Sequence, residues 1–349
     1  MIYFGMNILL IGGGTGSTVV LEGLKKRRDL KLSVIVGMMD DGGSNAVMRD
    51  EFGLLPLSDV RKSLLALYDS GNNEVLRKLF LYRFASGEGI KGHTLGNLLM
   101  VAMTDILGSE MEAIEMFKTM FGITGEIIPV TLDDVRLVAK YPDGSVIEGE
   151  HLIDEPESDM NVSSITLKPS AKATKQALDA IKKADYILFG PGDLYTTTLP
   201  NLVVKGIKEE LIRSKAKLIY ISNLISKKGQ TRKRSHSQCV DIITEYIGRD
   251  LDYVLINNGK IPQTAYRRYV KKGEHIMEDD LTDVNFSGEI IREDLVATEP
   301  IKREKGDTLE RSLVRHDSDK LANVLYDIFV SKKGPLLKWL NKLLSYYKD

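Results

Sequence analysis

The sequence is poorest in cysteine. Cys239 is the only one among 349 residues, so there is no internal disulfide, and no Cys/His cluster has the spacing of a zinc site. With no oxidative signal, a reducing interior is the natural compartment and the chain is expected to be cytoplasmic. An excess of either charge is missing too: 48 Lys+Arg face 49 Asp+Glu, for a formal net charge of −1. That balance gives no global basic field for nucleic acid and no acidic bias toward disorder, so a charged ligand has to be met by local groups. Long apolar runs are also lacking. The opening stretch from Met1 to Gly14 has no basic n-region, and its apolar run is too short to span a bilayer or to act as a signal sequence. It reads as a first strand. No internal repeat and no low-complexity tract is present.

What the chain does have is a series of short, continuously apolar runs rich in Ile, Val and Leu: Asn7 to Ile11, Leu32 to Val36, Tyr186 to Phe189, Leu218 to Ile221 and Tyr253 to Ile256. Strands without polar alternation belong to sheets buried on both faces, which are mainly parallel. Between them Ser17 to Arg28, Thr174 to Lys183, Pro200 to Arg213 and Ser237 to Ile247 carry apolar residues at helical spacing. Strand and helix in repetition predict right-handed crossovers and a Rossmann-like, doubly wound α/β core. Residues 58–120 read as consecutive helices. Residues 121–170 read as a small β-meander insertion, with strands at Gly125 to Val130, Val135 to Lys140 and Ser145 to Glu150 and a turn at Pro142-Asp143-Gly144. The length allows about two domains. The reading is one α/β unit over 1–335 followed by an amphipathic helix over 336–349, whose Leu336, Leu340, Leu343, Leu344 and Tyr347 suggest docking either onto the body or, in a homo-oligomer, onto a second subunit.

The strand ends carry the functional signal. They lead into Gly12-Gly13-Gly14, Asp40-Asp41, Gly190-Pro191-Gly192-Asp193, Asn223 and Asn257-Asn258, and an open parallel sheet binds ligands beyond the carboxyl ends of its strands. Gly12-Gly13-Gly14-Thr15-Gly16-Ser17 follows a strand and opens a helix, where bare N–H groups and the helix dipole hold phosphate. Ser17 fills the third glycine position of the dinucleotide pattern, and no Walker A lysine follows; a tight βα turn is the plainer alternative. Asp40 and Asp41, before Gly42-Gly43-Ser44, suit a ribose hydroxyl or a hydrated Mg²⁺ beside a phosphate, or a solvated Asx turn. They are the candidate metal ligands and the only catalytic candidates. Gly190-Pro191-Gly192-Asp193-Leu194-Tyr195-Thr196-Thr197 is a second glycine loop, with hydroxyls that can donate to phosphate or sugar oxygens.

Asn97, in the first turn after His93-Thr94, could read a base or hydroxyl, while His93 or Thr94 could equally cap that helix. Asp59 and Arg61 could form a structural ion pair. The basic run Ser226 to Arg234 reads as a solvated loop, and without interleaved aromatics it gives no nucleic-acid site. No Ser-His-Asp or Cys-His nucleophile system can be assembled, and the imperfect dinucleotide loop disfavours a nicotinamide dehydrogenase.

Taken together, the loop Gly12 to Gly16, Asp40-Asp41-Gly42-Gly43-Ser44, the segment Leu55-Pro56 to Arg61, Gly92-His93-Thr94-Leu95-Gly96-Asn97-Leu98-Leu99 and Gly190-Pro191-Gly192-Asp193-Leu194-Tyr195 resemble the CofD-like superfamily, over about residues 6 to 325. Their order is most similar to the YvcK-type gluconeogenesis factors, and Arg315-His316-Asp317 with Lys320-Leu321-Ala322 resembles that family's carboxyl-terminal motif. The resemblance implies a nucleotide diphosphate sugar as ligand, of the UDP-N-acetylglucosamine type, with roles in cell shape and carbon-source adaptation, and it makes Tyr266 and Arg315 candidate ligand contacts. Related CofD enzymes transfer a phospholactyl group from a guanosine diphosphate-linked donor with Mg²⁺, so the alternative is a Mg²⁺-dependent transferase of the 2-phospho-L-lactate type. Three positions depart from the family pattern: Ser58 stands where Gly is usual, Asp193 where Ser is frequent, and Asn45-Ala46 follows the Gly-Gly-Ser turn. Asp193 beside a diphosphate would repel it unless a cation intervenes or the side chain points elsewhere.

Overall fold

The computed structural model describes residues 5–42, 45, 46, 49, 53–69, 74–298 and 314–331. Gly43 and Ser44, and the expected C-terminal helix over 336–349, lie outside the described residues.

The apolar runs become strands of one seven-stranded sheet: β1 (Met6–Gly12), β2 (Leu30–Val36), β3 (Glu126–Pro129), β7 (Tyr186–Phe189), β8 (Lys217–Ile221), β9 (Tyr253–Asn257) and β10 (Glu289–Glu293). Its order is β10-β9-β8-β7-β1-β2-β3, and every pairing is parallel. This is a Rossmann-like sheet with helices on both faces, as the unalternating apolar strands require. Two hydrophobic clusters fill its faces. Ile8, Leu10, Val34 and Val36 enter one, and Leu9, Ile11 and Ile35 enter the other, the two-residue period of a strand buried on both sides. Strand order reverses between β1 and β7, so the two glycine loops leave the sheet side by side.

Three local differences from the sequence pattern matter. First, the run at Gly125 to Val130 yields β3, which joins the edge of the large sheet beside β2. The small antiparallel sheet is instead β5-β4-β6, from β4 (Arg136–Lys140), β5 (Val146–Glu148) and β6 (Ser164–Lys168). Ile127 and Ile128 are both buried, which suits an edge of the doubly covered sheet better than a one-faced meander. Second, the expected third meander strand stops at Glu148, because Gly149 with φ 114° turns the chain into a short helix, Glu150–Asp154. Third, the stretch Pro200 to Arg213 is two helices, Leu199–Leu202 and Ile207–Arg213, separated at Gly206 with φ 98°. The helical segment consists of Ser58–Leu67, Glu74–Leu81, Leu95–Leu107 and Glu110–Phe121.

Candidate functional site

β1 ends at Gly12, and the helix Gly14–Leu24 begins two residues later without a side-chain cap. A helix that starts this way leaves N–H groups unpaired. One is taken internally: Gly14 N–H donates to Asp59 Oδ2 at 2.9 Å, and Lys62 donates to Asp59 Oδ1 at 2.7 Å. Asp59 therefore sits on the first glycine loop, an anion already at the helix N-terminus, and does not pair with Arg61. A Cβ on Gly13 would come within 2.1 Å of Asp59 Oδ2, and one on Gly16 within 2.0 Å of the Pro191 carbonyl oxygen. These glycines are needed for close approach: of a carboxylate to the first loop, and of the second loop to the first helix turn.

The second loop follows β7 through a cis Gly190–Pro191 peptide. Asn223, at the end of β8, clamps it: Gly192 N–H donates to Asn223 Oδ1 at 3.0 Å, and Asn223 Nδ2 donates to the Gly192 carbonyl at 2.8 Å. Asp193 faces a lysine. Lys227 Nζ lies 3.4 Å from Asp193 Oδ2 and 3.2 Å from Asp154 Oδ2. Gln230 joins the same network, donating to Asp154 Oδ1 and Thr196 Oγ1 at 3.1 Å each, while Thr196 Oγ1 donates to Asp154 Oδ1 at 3.2 Å. The cation that Asp193 demanded on sequence grounds is thus supplied by the chain itself. Burial raises the Asp193 carboxyl to about 6, with Lys227 opposing and Asp154 reinforcing the rise. Burial pulls the Lys227 amine down, but Asp193 and Asp154 outweigh it and the net shift is upward.

This overturns the reading of Ser226 to Arg234 as a solvated loop. Besides Lys227, Arg232 pairs with Asp159, Val162 N–H donates to the Gly229 carbonyl, and Asn161 and Arg232 exchange hydrogen bonds. The basic run straps the inserted sheet to the core. Its acidic partners lie tens of residues away in sequence, which is why a local charge pattern misplaces it.

Carboxylates converge between the loops. Gly42 N–H donates to Asp40 Oδ1 at 2.9 Å. Burial first, and Asp59 next, raise the Asp40 carboxyl. Asp41 accepts from His151 N–H at 2.9 Å and lies 3.8 Å from Arg136, so it ties the inserted helix to the loop after β2. Glu150, half-buried, is raised well above the ordinary carboxylate range by burial and then by Asp40, Asp154, Asp41 and Asp59. Sequence reasoning passed over Glu150, Asp154, Lys62 and Gln230; the one local signal for the first two was their place just after Gly149.

Two named residues point away from open space. Tyr195 is 1% exposed and packs in the core, where burial raises its hydroxyl to about 12; only its backbone N–H, donating to Gln230 Oε1 at 3.0 Å, serves the network. Asn97, 3% exposed, accepts from Arg61 Nε at 2.6 Å and donates to Ser58 Oγ at 3.3 Å. Ser58 in turn donates to Asn45, so two of the departing positions, Ser58 and Asn45, complete a hydrogen-bonded chain behind Asp40. Thr94 caps the Asn97 N–H. Thr15 is half-buried in the first turn.

Tyr266 lies on the helix Gln263–Lys271, whose Tyr269 packs with Leu224, Val296 and Val314. Arg315 follows Val314, so its backbone and the Tyr266 helix border the same cluster as Asn223-Leu224. Ser222 Oγ lies 2.7 Å from His236 Nδ1, but both are buried, and the pair joins β8 to the helix His236–Ile247 without an approach for a substrate carbonyl.

Two glycine loops meeting at the strand-order reversal, in a seven-stranded parallel sheet, match a known family. The family model of the 2-phospho-L-lactate transferase CofD covers residues 8–296. The chain belongs to the CofD family. Among its relatives, the gluconeogenesis factor of Listeria innocua is 35% identical over 330 residues, covering 94% of this chain and 97% of that protein. The gluconeogenesis factor of Bacillus subtilis is 34% identical over 324 residues, covering 92% and 97%. A crystal structure of a Bacillus halodurans protein superposes with a TM-score of 0.83 at 30% identity, covering 92% of this chain and 99% of that one. The resemblance read from the motifs is therefore borne out at the level of family and fold. The matched span holds both glycine loops, the inserted sheet and Lys227. Among the described residues no helix is long and apolar enough to cross a membrane.

Proposed function

We propose that this CofD-family chain is a cytoplasmic gluconeogenesis factor that binds a nucleotide diphosphate sugar of the UDP-N-acetylglucosamine type, and that binding serves carbon-source adaptation and cell shape. The observation that carries this reading is the contact of the two glycine loops at the β1/β7 reversal, with Gly16 packed on the Pro191 carbonyl. That is where an open α/β sheet takes a nucleotide. Gly12, Gly13 and Thr15 offer backbone N–H groups from one side and Asp193 from the other, the Gly192 N–H being held by Asn223. Asn223, Tyr266 and Arg315 border the far wall, toward which the base or sugar extends. Lys62 and Lys227 supply the positive potential for the diphosphate, each released in part from its carboxylate. Calorimetric titration with UDP-N-acetylglucosamine tests the reading: a saturable heat supports it, and neither heat nor thermal shift at millimolar ligand sinks it.

A second reading, a Mg²⁺-dependent transferase of the 2-phospho-L-lactate type, is favoured by the carboxylate convergence. Burial and then Asp59 raise the cost of ionising Asp40, which a divalent cation beside it would relieve. Among the described residues no three His, Cys, Asp or Glu side chains form a metal-holding group. Mg²⁺ needs only one or two carboxylates together with phosphate oxygens, and Asp40 and Asp59 would be those carboxylates. Asp41, tied to His151 and Arg136, is the weaker ligand of the adjacent pair. Bound there, the ion would neutralise charge on the diphosphate. In this chain Asp40 and Asp59 would hold it, Lys62 would keep Asp59 oriented, and Glu150 would carry a proton near the transferred group. Turnover decides between the readings: unchanged product formation in Asp40→Asn and Asp59→Asn would remove the carboxylates from any reaction.

A further inference from the structure

Around the strands β8 to β10, cations are matched by carboxylates. Lys227 meets Asp154 and Asp193, Arg232 meets Asp159, Arg292 meets Asp279 and Lys320 meets Asp294. The stretch from Asn258 to Gly273 is built otherwise: it holds Lys260, Arg267, Arg268, Lys271 and Lys272 and no Asp or Glu. In a chain whose formal net charge is −1, this is a segregated local field rather than the spill of an overall basic excess. Lys260, Arg267, Arg268 and Lys271 are exposed, and among the described residues no carboxylate pairs with them.

Most of that charge lies on the helix Gln263–Lys271, whose inner side is fixed. Tyr269 is buried and packs with Leu224, Val296 and Val314, and Ala265, one turn earlier on the same side, joins that cluster. Arg267 and Lys271 are i,i+4 neighbours, and Arg268 lies beside Lys271 at i,i+3. With about 100° of rotation per residue, the three cations occupy the side turned away from Tyr269 and Ala265. Val270, 41% exposed, flanks them, and Ile276, 50% exposed, follows the turn at Gly273. The basic face is therefore continuous along one helix. Its place after β9 sets it at the carboxyl edge of the sheet.

We propose that the outward face of this helix is a peripheral docking surface for anionic lipid headgroups, a property independent of the ligand read into the crevice. A cluster of Lys and Arg on an exposed helix face is drawn to an anionic leaflet, each cation near the surface contributing roughly fivefold to the affinity. Val270 and Ile276 beside the cations suit the boundary between headgroups and acyl chains. Nucleic acid fits this face less well, because bases need aromatic side chains to stack on, whereas Tyr269 is buried and Tyr266 half-buried. An acidic protein groove would enclose a helix on several sides. Here Tyr269 and Ala265 tie the helix to the body and leave one convex face, the shape that meets a flat surface.

Cosedimentation of the full chain with vesicles of phosphatidylglycerol and phosphatidylcholine, against vesicles of phosphatidylcholine alone, tests this. The wild type is expected to bind the anionic vesicles only and to be released by added salt. Arg267→Glu with Arg268→Glu and Lys271→Glu is expected to weaken binding by about tenfold or more, with an unchanged melting temperature because the three side chains are exposed. The milder Arg267→Gln with Lys271→Gln should fall between that variant and the wild type. Lys182→Glu with Lys183→Glu, which reverses two exposed cations on the helix Lys175–Lys183, should bind as the wild type does. A wild type that ignores the anionic vesicles overturns the proposal, whether or not it retains RNA or polyglutamate. So does equal binding to the neutral vesicles, a folded triple variant that still binds, or a Lys182→Glu/Lys183→Glu variant that loses binding as fully as the triple variant.

Discussion

The two glycine loops do the same job with different construction. Each sets a carboxylate–lysine pair beside glycine backbone: Asp59 with Lys62 at the first, Asp193 with Lys227 at the second. At the first loop the pair is local, three residues apart on one helix, and the carboxylate itself accepts from the loop. At the second loop the pair is assembled from three distant segments, the loop after β7, the inserted helix ending at Asp154 and the strap after β8. The first loop is therefore rigid by close packing, while the second depends on the inserted sheet staying in place.

The largest effect should separate the loops by packing. In Gly16→Ala the new Cβ meets a backbone carbonyl at 2.0 Å, whereas in Gly192→Ala its nearest neighbour is the Thr197 methyl at 3.1 Å. Urea denaturation is expected to show Gly16→Ala destabilised by about 3 kcal/mol or more and Gly192→Ala by about 1 kcal/mol or less. Equal costs would mean that the loops do not differ in rigidity.

The next effect separates them by charge. Lys227→Met strands two carboxylates, and the strap, the inserted helix and the loop all lose their common partner; an expected cost is about 2 kcal/mol, below that of a fully buried pair because the groups keep some exposure. Lys62→Met breaks an i,i+3 pair and should cost under about 1 kcal/mol. Limited proteolysis should cut the inserted sheet faster in Lys227→Met alone.

The smallest effect concerns pH. The Asp193 carboxyl is held at about 6 in the folded chain, above its ordinary 3.8. Between those values the folded chain keeps a proton that the unfolded chain has released, so stability falls as pH rises through that window and the penalty stays constant above it. Asp193→Asn should flatten this slope. Melting curves from pH 4 to 8 should show the variant gaining most at neutral pH, and only modestly, since about a third of the side chain is exposed (36%). Asp40 and Glu150 shift in the same direction but are common to both proteins and cancel in the difference. A variant with the wild-type slope would mean that Asp193 is not the group under strain.

This contrast also explains what the sequence made legible. The sheet was readable because strands buried on both faces have no polar alternation to confuse, and the first glycine loop because β1, the loop and its helix are contiguous. β3 was placed in the wrong sheet because two buried isoleucines look alike at any sheet edge. Tyr195 and Asn97 were read as facing the ligand because residue type near a motif says nothing about which side of the backbone points inward. Lys227 was lost because a charge run carries no record of acidic partners at Asp154 and Asp193, and only the folded strap brings them within 3.4 Å.

The central claim is that the two loops jointly hold a diphosphate. A crystal structure of the protein grown with UDP-N-acetylglucosamine tests it most directly. The account predicts diphosphate density between Gly12 to Thr15 and Gly190 to Asp193, within hydrogen-bond distance of backbone N–H groups on both loops. Density lying elsewhere, or touching one loop only, would contradict it.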